Sequence, residues 1–160
     1  YEYLLSHPDV RSIALQDLRD GIFTGNPFTV MDSIGDLIYV GMDKAFYLTA
    51  YEYHWMKYNF EKCYPKELKH DRIHYHPFYN AGTVGGTRDV MLTFLTRLIM
   101  YFDKAPHDRS CDMATVGGVT HNHFFNYAFS GYPFQFGFEG RYKMAPPRGL
   151  AIRHKDTGYI

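Results

Sequence analysis

Short apolar runs alternate along this chain with longer segments of helical periodicity. The runs at 13–15 and 37–40 have the length and composition of buried strands. After Thr87, apolar residues recur at helical spacing, and we expect Thr87 to be the N-cap of this helix, with Asp89 in its first turn. Strands that alternate with helices predict an α/β fold.

Glycine, asparagine and proline residues interrupt the regular pattern after the first strand. We expect this strand to stop near Asp17, and a loop over residues 21–27 to carry Phe23 and Phe28 inward. The other expected elements are a helix near 3–7, a strand at 36–40, a helix at 46–60, a strand at 71–79 followed by a tight turn at 80–82, a helix from 87, a helix from about 112 to 125, and a last strand at 150–152.

Length and charge exclude several classes of protein. The 160 residues fit one domain, and the 17 basic residues balance the 17 acidic ones, so we expect no nucleic-acid partner. The longest apolar stretch, from Val90, is interrupted by Arg97 and is too short to cross a bilayer, so we expect no membrane segment. The chain starts at Tyr1 inside an expected helix, and we therefore expect a fragment of a longer protein.

The two cysteines leave their pairing open. Cys63 and Cys111 are too few and too far apart for a zinc cluster, so they are either two buried thiols or a disulfide formed in an oxidising lumen. Aromatic residues make up 18% of the chain, with 15 Tyr and 13 Phe. Most of them belong to the core, but the tyrosines also suit stacking against sugar rings.

Two acidic residues follow the first strand and a single histidine follows the last one. Ligands of open α/β sheets bind outside the carboxyl ends of strands, where Asp17 and Asp20 fall. A turn at Gly21 would let the two carboxylates converge. Together with His154 they form an oxygen and imidazole set that suits Mg or Mn. The alternative is that the acids make only turn hydrogen bonds.

A glycine-rich segment at 80–86 precedes the helix that begins after Thr87, which is the most clearly predicted helix of the chain. Because glycine has no side chain, a ligand could approach the backbone here, and the helix N-terminus would favour anionic groups. The alternative is a tight turn that binds no ligand. Asp112 opens the next helix, where it is either a helix cap or a group that holds a sugar hydroxyl or acts as a base.

Three strings of this sequence, at 15–28, 79–90 and 111–114, together resemble glycosyltransferases of the GT-A fold, the nucleotide-diphospho-sugar transferase superfamily. The resemblance extends from about Arg11 to His154. It implies that residues 1–160 form a single glycosyltransferase-like domain with a mixed sheet flanked by helices. It also implies that the chain is the C-terminal part of a GT-A domain, without the N-terminal nucleotide-binding units.

The resemblance assigns a role to each candidate residue. Asp17 and Asp20 match the DxD-like motif that binds a divalent metal and the donor diphosphate, and His154 matches the C-terminal metal ligand. The implied donor-binding residues are Asp17, Arg19, Asp20, Gly85 and Gly86; the implied acceptor-binding residues are Asn80 and Gly82; the implied catalytic residue is Asp112. The implied cofactor is Mn, or Mg in its place.

The function implied by the resemblance is a metal-dependent, hexosyltransferase-like transfer of sugar. The donor would be a nucleotide sugar, the acceptor a hydroxyl of a glycan, protein or lipid, and the compartment the Golgi or another secretory lumen in a eukaryote. One alternative is a catalytically inactive relative that binds glycans. The other is a metal-dependent phosphohydrolase that uses the same acids and some of the nine histidines.

Overall fold

The computed structural model describes residues 1–17, 21–23, 25–42, 54–64, 79–106, 111–130, 134–136 and 152–154. The helices are α1 (Glu2–Ser6), α2 (Phe28–Ile34), α3 (His54–Cys63), α4 (Arg88–Phe102) and α5 (Asp112–His123), with a 3₁₀ turn at Phe125–Tyr127. The strands are β1 (Ser12–Gln16), β2 (Gly21–Phe23), β3 (Ile38–Met42), β4 (Tyr79–Thr87), β5 (Ala128–Ser130), β6 (Phe134–Phe136) and β7 (Ile152–His154). The fold class is therefore mixed α/β.

The glycine-rich strand β4 lies inside the main sheet, whose order is β1-β4-β3-β5. It pairs antiparallel with β1, with Ala14 opposite Gly85, and antiparallel with β3 on its other edge, with Val40 opposite Val84. Strand β5 runs parallel to β3. Because both edges of β4 are hydrogen-bonded, its backbone is fixed despite the low strand propensity of glycine.

A second, smaller sheet has the order β2-β7-β6. Strand β7 lies in its centre, antiparallel to β2 and parallel to β6. Strand β6 contacts β3 and β4, and β7 contacts β4. The late strand β7 therefore lies near the glycine-rich strand of the main sheet.

Helices α4 and α5 cover one face of the main sheet. Phe94 of α4 is fully buried, and its ring packs edge-on against Phe124 at a centroid distance of 5.6 Å. The buried residues of this core are Leu4, Ile38, Val40, Tyr79, Val84, Met91, Phe94, Val116, Val119 and Phe124. On the opposite face, Met31 of α2 packs against Tyr39 of β3. Helices thus cover both faces of the sheet at β3, where the consecutive residues Ile38, Tyr39 and Val40 alternate between the two faces and are all buried.

None of the helices formed by the described residues has the length and hydropathy needed to cross a membrane.

Most of the elements expected from the sequence are confirmed within the described residues. Strands β1 and β3 and helices α1, α4 and α5 lie where the periodicity predicts them, and α3 and β7 overlap their predicted ranges. Thr87 is the N-cap of α4, although its hydroxyl donates to Asp36 Oδ1 at 3.2 Å and not to the helix. Residues 43–53 and 65–78, which carry parts of the predicted helix at 46–60 and strand at 71–79, lie outside the described residues.

Two local predictions are wrong. The predicted loop at 21–27 contains strand β2, and Phe23 and Phe28 are 57% and 38% exposed, because Met31 is the α2 residue that faces the sheet. The predicted tight turn at 80–82 is part of β4. Both errors have one cause: glycine signals a break locally, but pairing with a distant strand overrides that preference.

The core on the α4 side predicts a large effect of truncating Phe94. Replacing Phe94 by Ala should lower the free energy of unfolding by about 3–5 kcal/mol, because the substitution leaves a cavity between α4, α5 and the sheet. Met100→Ala on the same helix, where the side chain is 45% exposed, should change it by about 0.5 kcal/mol or less. Urea unfolding measures both, and equal effects would contradict this assignment of the core.

Candidate functional site

Strands β1 and β4 bring Asp17 beside Gly82, near the start of the glycine-rich segment. The backbone N–H of Asp17 donates to the carbonyl of Gly82 at 2.9 Å, and Gln16 lies opposite Thr83 in the ladder. The side chain of Asp17 is exposed. An exposed carboxylate therefore follows β1 directly, at the position where the sequence predicts that this strand stops, and it lies beside residues 80–82.

An irregularity in the β3–β4 ladder shapes this part of β4. Opposite the neighbouring residues Val40 and Gly41, the register jumps from Val84 to Asn80. Asn80 is buried, and its Oδ1 accepts the N–H of Gly82 at 2.7 Å. A bulge disrupts the ladder locally, and here the Asn80 side chain accepts a backbone N–H of the same strand.

The first turn of α5 lies against the same segment. The N–H of Ala81 donates to Met113 Sδ at 3.1 Å. Asp112 is the first residue of α5 and is exposed, and Cys111 is its N-cap. The structure therefore brings Asp17, Asn80, Gly82 and the helical turn that carries Asp112 to one end of the main sheet.

The backbone of His154 lies opposite Gly21 in the ladder between β2 and β7. Gly21 directly follows Asp20 in the sequence. Arg19 and Asp20 themselves lie outside the described residues, so the structure does not place these two predicted donor-binding residues. Within the described ranges, no group of three His, Cys, Asp or Glu side chains is arranged to hold a metal ion.

Gly85 and Gly86 lie toward the other end of β4, in its paired region. Gly85 lies between Ala14 and Tyr39, and Gly86 between Ile13 and Ile38. A Cβ at Gly86 would come within 2.8 Å of the Leu37 carbonyl oxygen. Close packing of β3 and α4 on β4 therefore already requires glycine at position 86, and donor binding by these two residues stays a prediction.

Two buried polar atoms near Asp17 belong to residues that the sequence does not predict for the site. Gln16 Oε1 and Thr83 Oγ1 are buried, and neither has a hydrogen-bond partner in the part of the chain that the structure describes. A Cβ at Gly41 of β3 would overlap the Thr83 hydroxyl. A buried polar atom without a partner costs about 1–3 kcal/mol, a cost that a polar ligand atom would remove. Gln16 and Thr83 are brought together only by the pairing register of β1 and β4, so the sequence alone does not indicate that they are neighbours.

Tyr79, next to Asn80, is not a suitable general base. Burial raises the pKa of Tyr79 to about 12, so the phenol is protonated at neutral pH. Its ring packs against the ring of His121 at a centroid distance of 4.8 Å. Among the described residues at this end of the sheet, Asp17 and Asp112 are the exposed carboxylates that are predicted to act in the chemistry.

A separate cleft of about 400 Å³ lies near the C-terminal end of β4, where Thr87 contacts Asp36. Its lining includes Arg97 of α4 and His123 of α5. Burial and the positive charge of Arg97 lower the pKa of His123. This cleft contains none of the residues that the sequence predicts for the site.

Neither a protein-family model nor a curated protein sequence matches this chain. Interpretation of the site therefore depends on the geometry of its residues.

The unsatisfied hydroxyl of Thr83 predicts an unusual substitution result. Thr83→Val should leave the free energy of unfolding unchanged or raise it, because it removes a buried hydroxyl that makes no hydrogen bond with any described residue. Thr115→Val is the matched control, since the Thr115 hydroxyl donates to the Cys111 carbonyl at 2.6 Å, and it should cost about 1–3 kcal/mol. Denaturant unfolding compares the two; an equal loss in both variants would show that Thr83 has a partner.

The lowered pKa of His123 predicts a contribution to acid sensitivity. Below its ordinary pKa of about 6.5, the unfolded chain binds more protons at this position than the folded chain, so stability falls as the pH falls. His123→Gln should therefore lose less stability than the unsubstituted protein between about pH 7 and pH 5. Thermal unfolding across this range measures the difference, and parallel curves would contradict the prediction.

Proposed function

We propose that this protein is a metal-dependent glycosyltransferase that moves a sugar from a nucleoside diphosphate sugar to an acceptor hydroxyl. The observation that carries the proposal is the convergence at Gly82, whose carbonyl accepts the Asp17 N–H while neighbouring Ala81 contacts Met113 of α5. This grouping of a strand-end carboxylate, a bulged glycine segment and a second carboxylate at a helix start supports the proposal.

The proposed metal ligands are Asp17, Asp20 and His154. Their carboxylate oxygens and imidazole nitrogen suit Mn, with Mg as the second choice. The pairing of His154 with Gly21, which follows Asp20 in the sequence, supports this set, as does the contact between β7 and β4. When bound, such an ion offsets the negative charge that grows on the leaving diphosphate.

The remaining roles belong to side chains around β4. Asp112, exposed at the start of α5, would receive the proton of the acceptor hydroxyl or hold a hydroxyl of the donor sugar. Asn80 fixes the backbone at Gly82, where the acceptor would approach. Arg19 would orient the acids.

A disulfide between Cys63 and Cys111 supports a secretory location for this activity. Disulfides persist in oxidising compartments and are rare in the cytosol. For a eukaryotic protein we therefore propose the Golgi or another secretory lumen as the compartment.

A second candidate function is glycan binding without catalysis. It is favoured by the exposed aromatic residues Phe23, Tyr127 and Phe129, which are 57%, 59% and 41% exposed. Aromatic rings exposed in this way suit stacking against sugar faces. A binding protein of this kind would bind glycans but would neither transfer nor hydrolyse a nucleotide sugar.

The proposal predicts loss of transfer when either carboxylate is removed. With a panel of nucleotide sugars and Mn, Asp112→Asn should lower kcat by about 10²–10⁴-fold, the usual contribution of a general base. Asp17→Asn should weaken Mn and nucleoside diphosphate binding, which calorimetric titration measures independently of turnover. Asp9→Asn, at another exposed carboxylate, is the matched control and should change neither quantity.

The titration also distinguishes the two candidates. Nucleoside diphosphate binding that depends on Mn supports the transferase. Glycan binding without metal-linked nucleotide binding or donor turnover would replace it by the binding protein. Unchanged turnover in Asp112→Asn would reject the assigned role of Asp112.

A further inference from the structure

The residue immediately before Asp112 is covalently tied to a different helix. Cys111 forms a disulfide with Cys63, the last residue of α3, across a Cα–Cα distance of 5.8 Å. Both cysteines are buried, at 4% and 3% exposure for Cys63 and Cys111. Because Cys111 is also the N-cap of α5, the cross-link acts at the point where this helix begins.

Tyr64, the residue after Cys63, holds the same turn by hydrogen bonds. Thr115 Oγ1 donates its proton to the Cys111 carbonyl at 2.6 Å. The Tyr64 hydroxyl donates to the Tyr101 carbonyl at 3.2 Å and is hydrogen-bonded to Thr115 Oγ1 at 2.5 Å. Through one phenol, α3 is connected to the first turn of α5 and to the last turn of α4.

Helices α3 and α5 are packed closely, which restricts their movement relative to each other. A Cβ at Gly117 of α5 would lie 2.9 Å from Cζ of Phe60 in α3. On its other side, the first turn of α5 contacts β4 through Met113 Sδ and the Ala81 N–H. The turn that presents Asp112 is thus held between α3 and the bulged segment of β4.

We propose that Cys63, Cys111 and Tyr64 form a clamp, named here the α3 clamp, that positions Asp112 toward residues 80–82. The three residues touch neither donor nor acceptor and act through Asp112, so they are positioning residues. This inference depends on the proposed function of Asp112. Helix ends fray readily, and a displacement of about 1 Å at a reacting group can lower a rate by about 10²-fold. The clamp restricts such displacement.

The experiment measures kcat and KM for donor in two clamp variants. Tyr64→Phe keeps the ring and the disulfide but removes the hydroxyl; Cys63→Ala/Cys111→Ala removes the cross-link. The clamp is proposed for the role of Asp112 as acceptor of the hydroxyl proton, in which donor binding depends on Asp17 and not on Asp112. Both variants should then lower kcat by about 10-fold or more and change the donor KM by less than about 2-fold. Adding dithiothreitol should lower kcat of the unsubstituted protein in the same way.

Controls separate positioning from stability. Tyr58→Phe, in helix α3 at a ring that is 52% exposed, should leave kcat unchanged. Val119→Ala, in the buried part of α5 away from the clamp, destabilises the core and should also leave kcat unchanged at a temperature well below its unfolding transition. Should the disulfide variant fail to fold, Tyr64→Phe alone decides the question.

The outcomes distinguish this inference from the proposed function. Loss of kcat in Asp112→Asn and in Tyr64→Phe, with donor KM retained, supports the α3 clamp. Loss of kcat in Asp112→Asn with normal kcat in Tyr64→Phe overturns the clamp and leaves the proposed function standing. Normal kcat in Asp112→Asn overturns the role of Asp112 and the clamp together.

Discussion

The pairing of β4 along both of its edges is the interaction on which the rest of this structure depends. Without it, a strand with glycine at 82, 85 and 86 would have little tendency to remain extended. The ladders with β1 and β3 satisfy its backbone groups and place Val84 in the core beneath α4 and α5. The same pairing leaves Asp17 beside Gly82, so one set of hydrogen bonds creates both the sheet and the candidate site.

Strand β4 has two ends with different physical roles. Around Gly86, missing side chains allow the carbonyl of Leu37 and the start of α4 to approach closely, and the contacts are tight and regular. Around Asn80 the register jumps, a side chain replaces a ladder bond, and two polar atoms stay unsatisfied among the described residues. Bulges are enriched beside active sites, and unsatisfied polar atoms mark places where a ligand would contribute stability. The proposed function is assigned to the end with this irregular geometry.

The sequence predicts the elements whose stability comes from local periodicity. Helix α4 is an example, since its apolar residues recur at helical spacing and its core contacts follow from that pattern. The sequence does not predict β2, because three residues form a strand only through pairing with β7, more than a hundred positions later. The sequence also wrongly predicts a turn at residues 80–82, because glycine favours a turn locally whereas pairing with two neighbouring strands keeps this segment extended. Non-local pairing determined both segments.

In the candidate site, too, the sequence indicates which residues are involved but not how they are arranged in space. Asp17, Asn80 and Asp112 could be chosen from their residue types and from the ends of predicted elements, but their grouping depends on strand register and on one helix contact. The spacing of Cys63 and Cys111 could not decide between thiols and a disulfide, because a separation of 48 residues does not fix a Cα–Cα distance. The disulfide joins Cys63 to the N-cap of α5, the residue immediately before Asp112. Disulfides form only where two Cα atoms lie about 4.4–6.8 Å apart, so packing limits where α3 and α5 can be cross-linked. Because this cross-link restrains the residue next to the carboxylate predicted to be catalytic, its position favours a positioning role.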